Sequence, residues 1–164
     1  MSMIEERLRS LGINFPDTSH PPKNFDNDIY GYDAHILRYY QAGNILVLSG
    51  QLPTRDEKEL YKGRYGLNLT VDDGYQAARL CAINALADMK RALGDLDRVE
   101  HIIRMVCYIN ATPDFTEHPK VGNGASDLLI EVFGERGRHA RASIGVTGMA
   151  GGHSIETLLT VHVR

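Results

Sequence analysis

The sequence predicts a single α+β domain in which a mixed sheet carries two helices on one face. Three observations lead to this class. A helical stripe of small apolar residues extends from Thr70 to about Leu93, the stretch from Arg98 to Ala111 alternates like a long strand, and short apolar runs stand towards both ends of the chain. At 164 residues the chain can bury a real core without disulfide or metal staples. It shows no repeat, low-complexity tract or linker.

The elements follow in order. Ile4, Leu8 and Leu11 lie at helical spacing ahead of Gly12, which predicts a short amphipathic helix that docks on the body of the fold. Residues Ile13 to Tyr32 hold Pro16, Pro21 and Pro22 among Asp and Asn, an irregular lead-in. Two strands are expected at Ile36 to Gln41 and Ile45 to Ser49, joined through Ala42-Gly43-Asn44 as a hairpin. The second ends in Ser49-Gly50-Gln51-Leu52-Pro53, where glycine and proline stop the ladder. A further strand is allowed near Tyr61 to Gly66.

Thr70-Val71-Asp72-Asp73 opens the clearest helix, with Thr70 as N-cap and two aspartates where the helix dipole favours them. Its inner face combines Ala77, Ala78, Cys81, Ala85, Leu86, Met89 and Leu93, and it stops at Gly94. In the long strand that follows, Val99, Ile103, Met105, Cys107 and Ile109 are expected on one side. A second helix spans roughly Pro119 to Phe133, since proline suits a first turn and Gly134 follows. Strands Arg141 to Thr147 and Ser154 to Val163 complete a β-β-α-β-α-β-β order. Two helices cover one face only, so a second copy of the chain is the economical cover for the other.

Composition narrows the function classes. The 18 basic and 21 acidic side chains give a net charge of -3, which weighs against nucleic acid. Cys81 and Cys107 each lie in an apolar segment and read as buried thiols in a reducing compartment. No apolar run is long enough to cross a bilayer, and Met1 to Gly12 lacks the apolar core of a signal peptide, so a cytoplasmic protein is expected. The seven histidines form no close helical pair with a glutamate and no cysteine cluster exists. Neither a metal nor a cofactor is expected.

In this order the motifs resemble the RidA (YjgF-type) reactive-intermediate deaminases, also called L-PSP endoribonucleases. The likeness runs from about Leu37 to the end, with residues 1–36 as an extension and 37–164 as the family domain. It rests on Ser49-Gly50-Gln51-Leu52-Pro53, Leu96-Asp97-Arg98-Val99, Asp114-Phe115, Val121-Gly122-Asn123-Gly124-Ala125-Ser126-Asp127-Leu128, Arg141-Ala142-Ser143 and Glu156. The Ala-Ser-Asp-Leu-Leu helix is similar to the longer subgroup. The resemblance implies a chorismate-mutase-like fold, a homotrimer with its sheets facing inward, and small-molecule clefts between subunits.

Arg141 and Glu156 carry the chemistry that the resemblance implies. A guanidinium offers a rigid fork that matches a carboxylate with two charge-assisted hydrogen bonds, which lysine cannot reproduce. Arg141 is implied as the grip on a small carboxylate or imino acid, with a plain salt bridge as the alternative. Glu156 is the only acid in the last strand, where a carboxylate needs a partner or a task. The implied task is to orient and activate the water that attacks an imine carbon; the alternative is a structural pair with Arg141 or Arg104. A tight hairpin about Gly151-Gly152 would set Arg141 opposite His162 and leave Glu156 roughly 20 Å away. Contact within one chain therefore requires another strand pairing, a bend or a longer loop.

Ser49, Gly50, Asn123 and Ser143 are implied as the lining of the cleft. Asn123 has the alternative of capping its helix, and Ser143 that of filling a small core space. Many family members close the ligand site with a tyrosine before the first hairpin turn. Ile36 stands at that place here, with Tyr32, Tyr39 and Tyr40 nearby. The expected function is hydrolysis of small enamines or imines of the 2-aminoacrylate type to keto acid and ammonia. A non-catalytic carboxylate-binding or regulatory trimer comes second and endoribonuclease action third.

Overall fold

The computed structural model describes residues 2–14, 36–55 and 58–164. Beyond Ile13 and Asn14, the expected lead-in up to Tyr32 lies outside the described residues, as does Tyr32 itself. In chain order come α1 (Met3–Ser10), β1 (Tyr39–Ala42), β2 (Ile45–Leu48), β3 (Thr54–Arg55), β4 (Lys58–Glu59), α2 (Val71–Leu93), β5 (Val99–Asn110), α3 (His118–Phe133), β6 (Ala140–Val146) and β7 (Ile155–Val163). The main sheet is ordered β1-β2-β7-β5-β6, with β5 and β6 parallel and the other neighbours antiparallel. The expected α+β class is present, and the main sheet and its two long helices follow the expected β-β-α-β-α-β-β succession along the chain, with the short β3 and β4 added. The described helices are not long and apolar enough to cross a membrane.

Local sequence explains the element ends. Thr70 and Asp73 form a reciprocal capping box at the start of α2, and Gly94 closes that helix with φ 72°. Ala42 pairs with Ile45, so the hairpin turn is only Gly43-Asn44, shorter than expected, with Gly43 at φ 59°. The stretch from Tyr61 to Gly66 forms no strand. Its Lys62 and Tyr65 make isolated bridges instead, while β3 and β4 form a small separate ladder.

Residues paired across a ladder share a face, which sorts the sheet into two sides. The row Leu159, Met105 and Arg141 and the row Thr157, Cys107 and Ser143 lie on the side of the helices. The rows Tyr40, Val47, Thr160, Arg104 and Glu156, Tyr108, Ile144 lie on the other side. Ile102 is fully buried while Ile103 is 38% exposed, reversing the expectation for Ile103. Register shifts at Val99/His101 and Ile102/Arg104 advance the alternation by one residue there, which period-two counting misses.

Small residues allow the layers to approach closely. Ala77, Ala78, Cys81, Ala85, Leu86, Met89 and Leu93 are all buried, as their spacing predicts. Where α2 crosses α3, a Cβ built on Gly124 would stand 1.9 Å from the Tyr75 carbonyl oxygen, so only glycine fits against that backbone. Helix α1 docks through Ile4 and Leu8, and the Asp97 carboxylate accepts from the backbone N–H groups of Met3 at 2.9 Å and Ile4 at 3.0 Å.

A charged knot lies under the opposite end of the sheet. Asp88 of α2 is 1% exposed. Its carboxylate accepts from Arg38 Nη1 at 2.8 and 3.1 Å, from Arg91 Nη1 at 2.7 Å and from Gln51 Nε2 at 3.1 Å. This network was not anticipated from the sequence.

Two stability measurements check this packing. Gly124→Ala is expected to lower the urea midpoint by an amount equivalent to about 1–3 kcal/mol, because the α2–α3 crossing must widen. Asp88→Ala removes the buried carboxylate that Arg38, Arg91 and Gln51 share and is expected to lose on the order of 3–5 kcal/mol in the same titration.

Candidate functional site

The expected site residues fall into two clusters. In the first, α3 presents Pro119, Asn123 and Ser126 on one side at helical spacing, and β6 places Arg141 against that side. Arg141 Nη1 donates to Asn123 Oδ1 and to Ser126 Oγ, both at 2.9 Å, and Nη2 donates to the Pro119 carbonyl at 3.2 Å. Of five N–H donors, the one on Nε and one on Nη2 have no acceptor among the described residues. A guanidinium fixed on one flank with donors left on the other is arranged to receive a carboxylate.

Ser143 follows two residues along β6, on the same side. A Cβ on Gly122 would stand 2.6 Å from Ser143 Oγ and 3.5 Å from Arg141 Nη1, so the glycine lets α3 lie directly against this pair. The Ser143 hydroxyl faces the thiol of Cys107, whose pKa burial pushes up to about 11. That thiol stays protonated and unreactive at neutral pH.

The second cluster gathers Ser49, Gly50 and Glu156. The backbone of Gln51 exchanges two hydrogen bonds with Thr157, at 2.8 and 3.0 Å, which brings the end of β2 alongside the start of β7. A Cβ built on Gly50 would stand 1.6 Å from Glu156 Oε1, so the carboxylate lies directly over the glycine. The Ser49 hydroxyl is engaged by the Leu37 carbonyl, and the Ser49 N–H by the Arg38 carbonyl at 2.8 Å. Ser49 thus ties the two hairpin strands and shapes the approach to Gly50. Partial burial raises the Glu156 pKa above the ordinary glutamate range.

Among the described residues Glu156 makes no hydrogen bond or ion pair. The structural pairings with Arg141 and Arg104 are both absent: Arg141 bonds to α3, while Arg104 lies beside Thr160 and Ala140. Glu156 opposes Tyr108, and Tyr108 opposes Ile144 on β6. Arg141 is therefore two strands and three residues away, about 14 Å between Cα atoms, and on the other face of the sheet. Strand β5 separates β6 from β7, so the last two strands form no hairpin. One chain does not bring Arg141 and Glu156 together.

Two residues beside Arg141 were missed. Ser126 stands one turn after Asn123, a spacing that could have flagged it, and is 8% exposed. His139 stands two residues before Arg141 in a strand-like run and contacts Ser126 Oγ through Nε2 at 3.0 Å. Ile36 is 49% exposed, and Tyr40 is 62% exposed. The described residues contain no group of three or more metal-ligating side chains.

Known proteins match this geometry and sequence. Residues 7–155 match the family described as "YjgF/chorismate_mutase-like, putative endoribonuclease". Protein TCP17 of Trypanosoma cruzi is 40% identical over 154 residues, covering 93% of this chain and 89% of its own. The crystal structure of Atu1372 from Agrobacterium tumefaciens superposes with a TM-score of 0.86 at 35% identity, over 98% of this chain and 92% of that one. E. coli TdcF with bound serine shares the fold at a TM-score of 0.57 and 20% identity, over 79% of this chain and 87% of its own. With the family model spanning most of its length and two relatives above a third identical, the chain belongs to the YjgF/chorismate-mutase-like family.

Proposed function

We propose that this protein hydrolyses small imines and enamines of amino acids, of the 2-aminoacrylate type, to a keto acid and ammonia. The observation that carries the reading is Arg141, fixed by three α3 acceptors with two donors left unused among the described residues. Those donors grip the substrate carboxylate. An enamine first takes a proton from solvent on its methylene carbon and becomes the protonated imine. Glu156, without a partner among the described residues, takes a proton from water as the oxygen attacks the carbon of that protonated imine, and the C=N electron pair settles on nitrogen. The carbinolamine nitrogen takes that proton back from Glu156, the hydroxyl gives up its own proton to the freed carboxylate as C=O forms and the C–N bond breaks, and that last proton leaves with ammonia as ammonium. Atoms and charge balance with water as the only co-reactant, and positioning with proton transfer supplies the catalysis.

Because the two clusters stand apart in one chain, the reading includes self-association. One copy supplies Arg141, Asn123 and Ser143, and its neighbour supplies Gly50 and Glu156. A homotrimer with clefts between subunits satisfies this pairing. The sheet face away from the helices, with Tyr40 62%, Val47 47% and Ile144 45% exposed, provides an apolar surface for it. The serine bound to the fold neighbour TdcF is a small molecule with a carboxylate, the class this site would take.

Ammonia release from an enzymatically generated 2-aminoacrylate imine tests the reaction. Arg141→Lys is expected to lower kcat/KM about 10- to 100-fold, the loss of a charge-assisted hydrogen bond in a fixed fork. Glu156→Gln is expected to abolish turnover while pyruvate still binds. Mixed oligomers of Arg141→Ala and Glu156→Gln subunits are expected to regain part of the activity, since some clefts then hold both native residues. A native rate equal to the uncatalysed one, with pyruvate bound, would leave a binding trimer instead.

Glu156 also links the site to stability. Its folded pKa lies above its unfolded one, so stability contributed by the protonated form is present below the unfolded value and is lost as pH rises through the folded one. Glu156→Gln removes the charge without changing the shape. It is expected to melt above the native chain near neutral pH, and the difference is expected to close when both are measured well below the ordinary glutamate range.

A further inference from the structure

We propose that Ser126 and His139 form a polarity-locked hydrogen-bond chain that aims the Arg141 guanidinium at its carboxylate. The inference rests on the carboxylate-binding role given to Arg141 above and identifies the residues that position it.

The two ends of the chain have forced directions, and a neutral ring fixes the link between them. His139 Nδ1 lies 2.6 Å from the Gly137 carbonyl oxygen, which can only accept, so Nδ1 carries the proton. The neutral ring then turns the lone pair of Nε2 towards Ser126 Oγ at 3.0 Å and accepts the hydroxyl proton. At the far side, Arg141 Nη1 can only donate, and Ser126 Oγ accepts from it at 2.9 Å. With the ring neutral the run is therefore Arg141 to Ser126 to His139 to Gly137, and the hydroxyl has one orientation. Ser126 is 8% exposed and His139 is half-buried, so water competes weakly for these bonds.

The second hydrogen of Nη1 goes to Asn123 Oδ1. Together the two acceptors fix the plane of the guanidinium about its Nη1 end and leave the Nε side facing away from α3. A planar fork loses a bidentate ligand if its plane rotates, so the acceptors behind it decide how well it grips. Burial, with Arg141 two residues further on and His101 on β5 nearby, holds His139 below the ordinary histidine range. The ring is then neutral at neutral pH, the state that the chain requires.

Two measurements test this positioning role. Long-range proton–nitrogen NMR of the native protein is expected to find His139 as the Nδ1–H tautomer, with Nε2 unprotonated; the Nε2–H tautomer would overturn the chain. Ser126→Ala is expected to raise KM for the imine, and Kd for pyruvate, about tenfold with kcat within about twofold, as one hydrogen bond to a charged group is lost. Ser126→Thr, which restores the hydroxyl, is expected to recover most of the affinity. If Ser126→Ala binds pyruvate like the native protein while Arg141→Ala loses it, the chain is only structural and the proposal falls alone. If Arg141→Ala also binds pyruvate normally, the carboxylate reading falls and takes the positioning role with it. Melting temperatures of all four proteins separate a lost fold from a lost grip.

Discussion

Asp88 places a carboxylate 1% exposed beneath the sheet and surrounds it with Arg38, Arg91 and the amide of Gln51. Its three partners come from three parts of the chain: the approach to β1, helix α2 itself and the segment that leaves β2. A buried charge is tolerated only when its acceptors are filled, so these segments must converge for the fold to close. Gln51 then holds the end of β2 against Thr157, and that pairing puts Gly50 under the carboxylate of Glu156. The position of one proposed catalytic group thus follows from an ion cluster on the opposite side of the sheet.

A different constraint places the other group. Arg141 depends on how closely α3 lies on β6, and that distance is set by glycines. Gly124 lets α3 approach the backbone of α2, and Gly122 lets it approach Ser143 and Arg141. The helix then offers a side-chain amide, a hydroxyl and a carbonyl as acceptors behind the guanidinium. Larger side chains at either glycine would hold those acceptors out of range. The two clusters are consequently placed for separate reasons, one electrostatic and one steric.

Much of this was legible in the residues. The N-cap of α2, its small-residue face and the ends of both main helices follow from local chemistry, and the structure places them within a residue or two. Ile103 was misplaced because a bulge changes the phase of β5, and a bulge leaves no mark in a pattern counted by twos. Asp88 was invisible for a related reason: an aspartate on a helix looks solvated until the partners from distant segments are known. Arg141 and Glu156 stood out by residue type, but their separation depends on β5 entering between β6 and β7. Strand order in a sheet is a long-range property, which neither spacing nor hydropathy encodes.

The separation of Arg141 from Glu156 bears on why an apolar strand holds an acid that is unpaired among the described residues. Had the two met within one subunit, the guanidinium and carboxylate would neutralise each other and neither would be free for a ligand. Placing them on opposite faces keeps Arg141 a donor and Glu156 an acceptor until another surface brings a complementary group to each. The penalty is visible in the raised Glu156 pKa, which burial alone accounts for. A site divided between copies, as proposed, preserves both reactive groups where an intramolecular pair would quench them, and the exposed apolar side chains on the face of Glu156 are the surface such an association would bury.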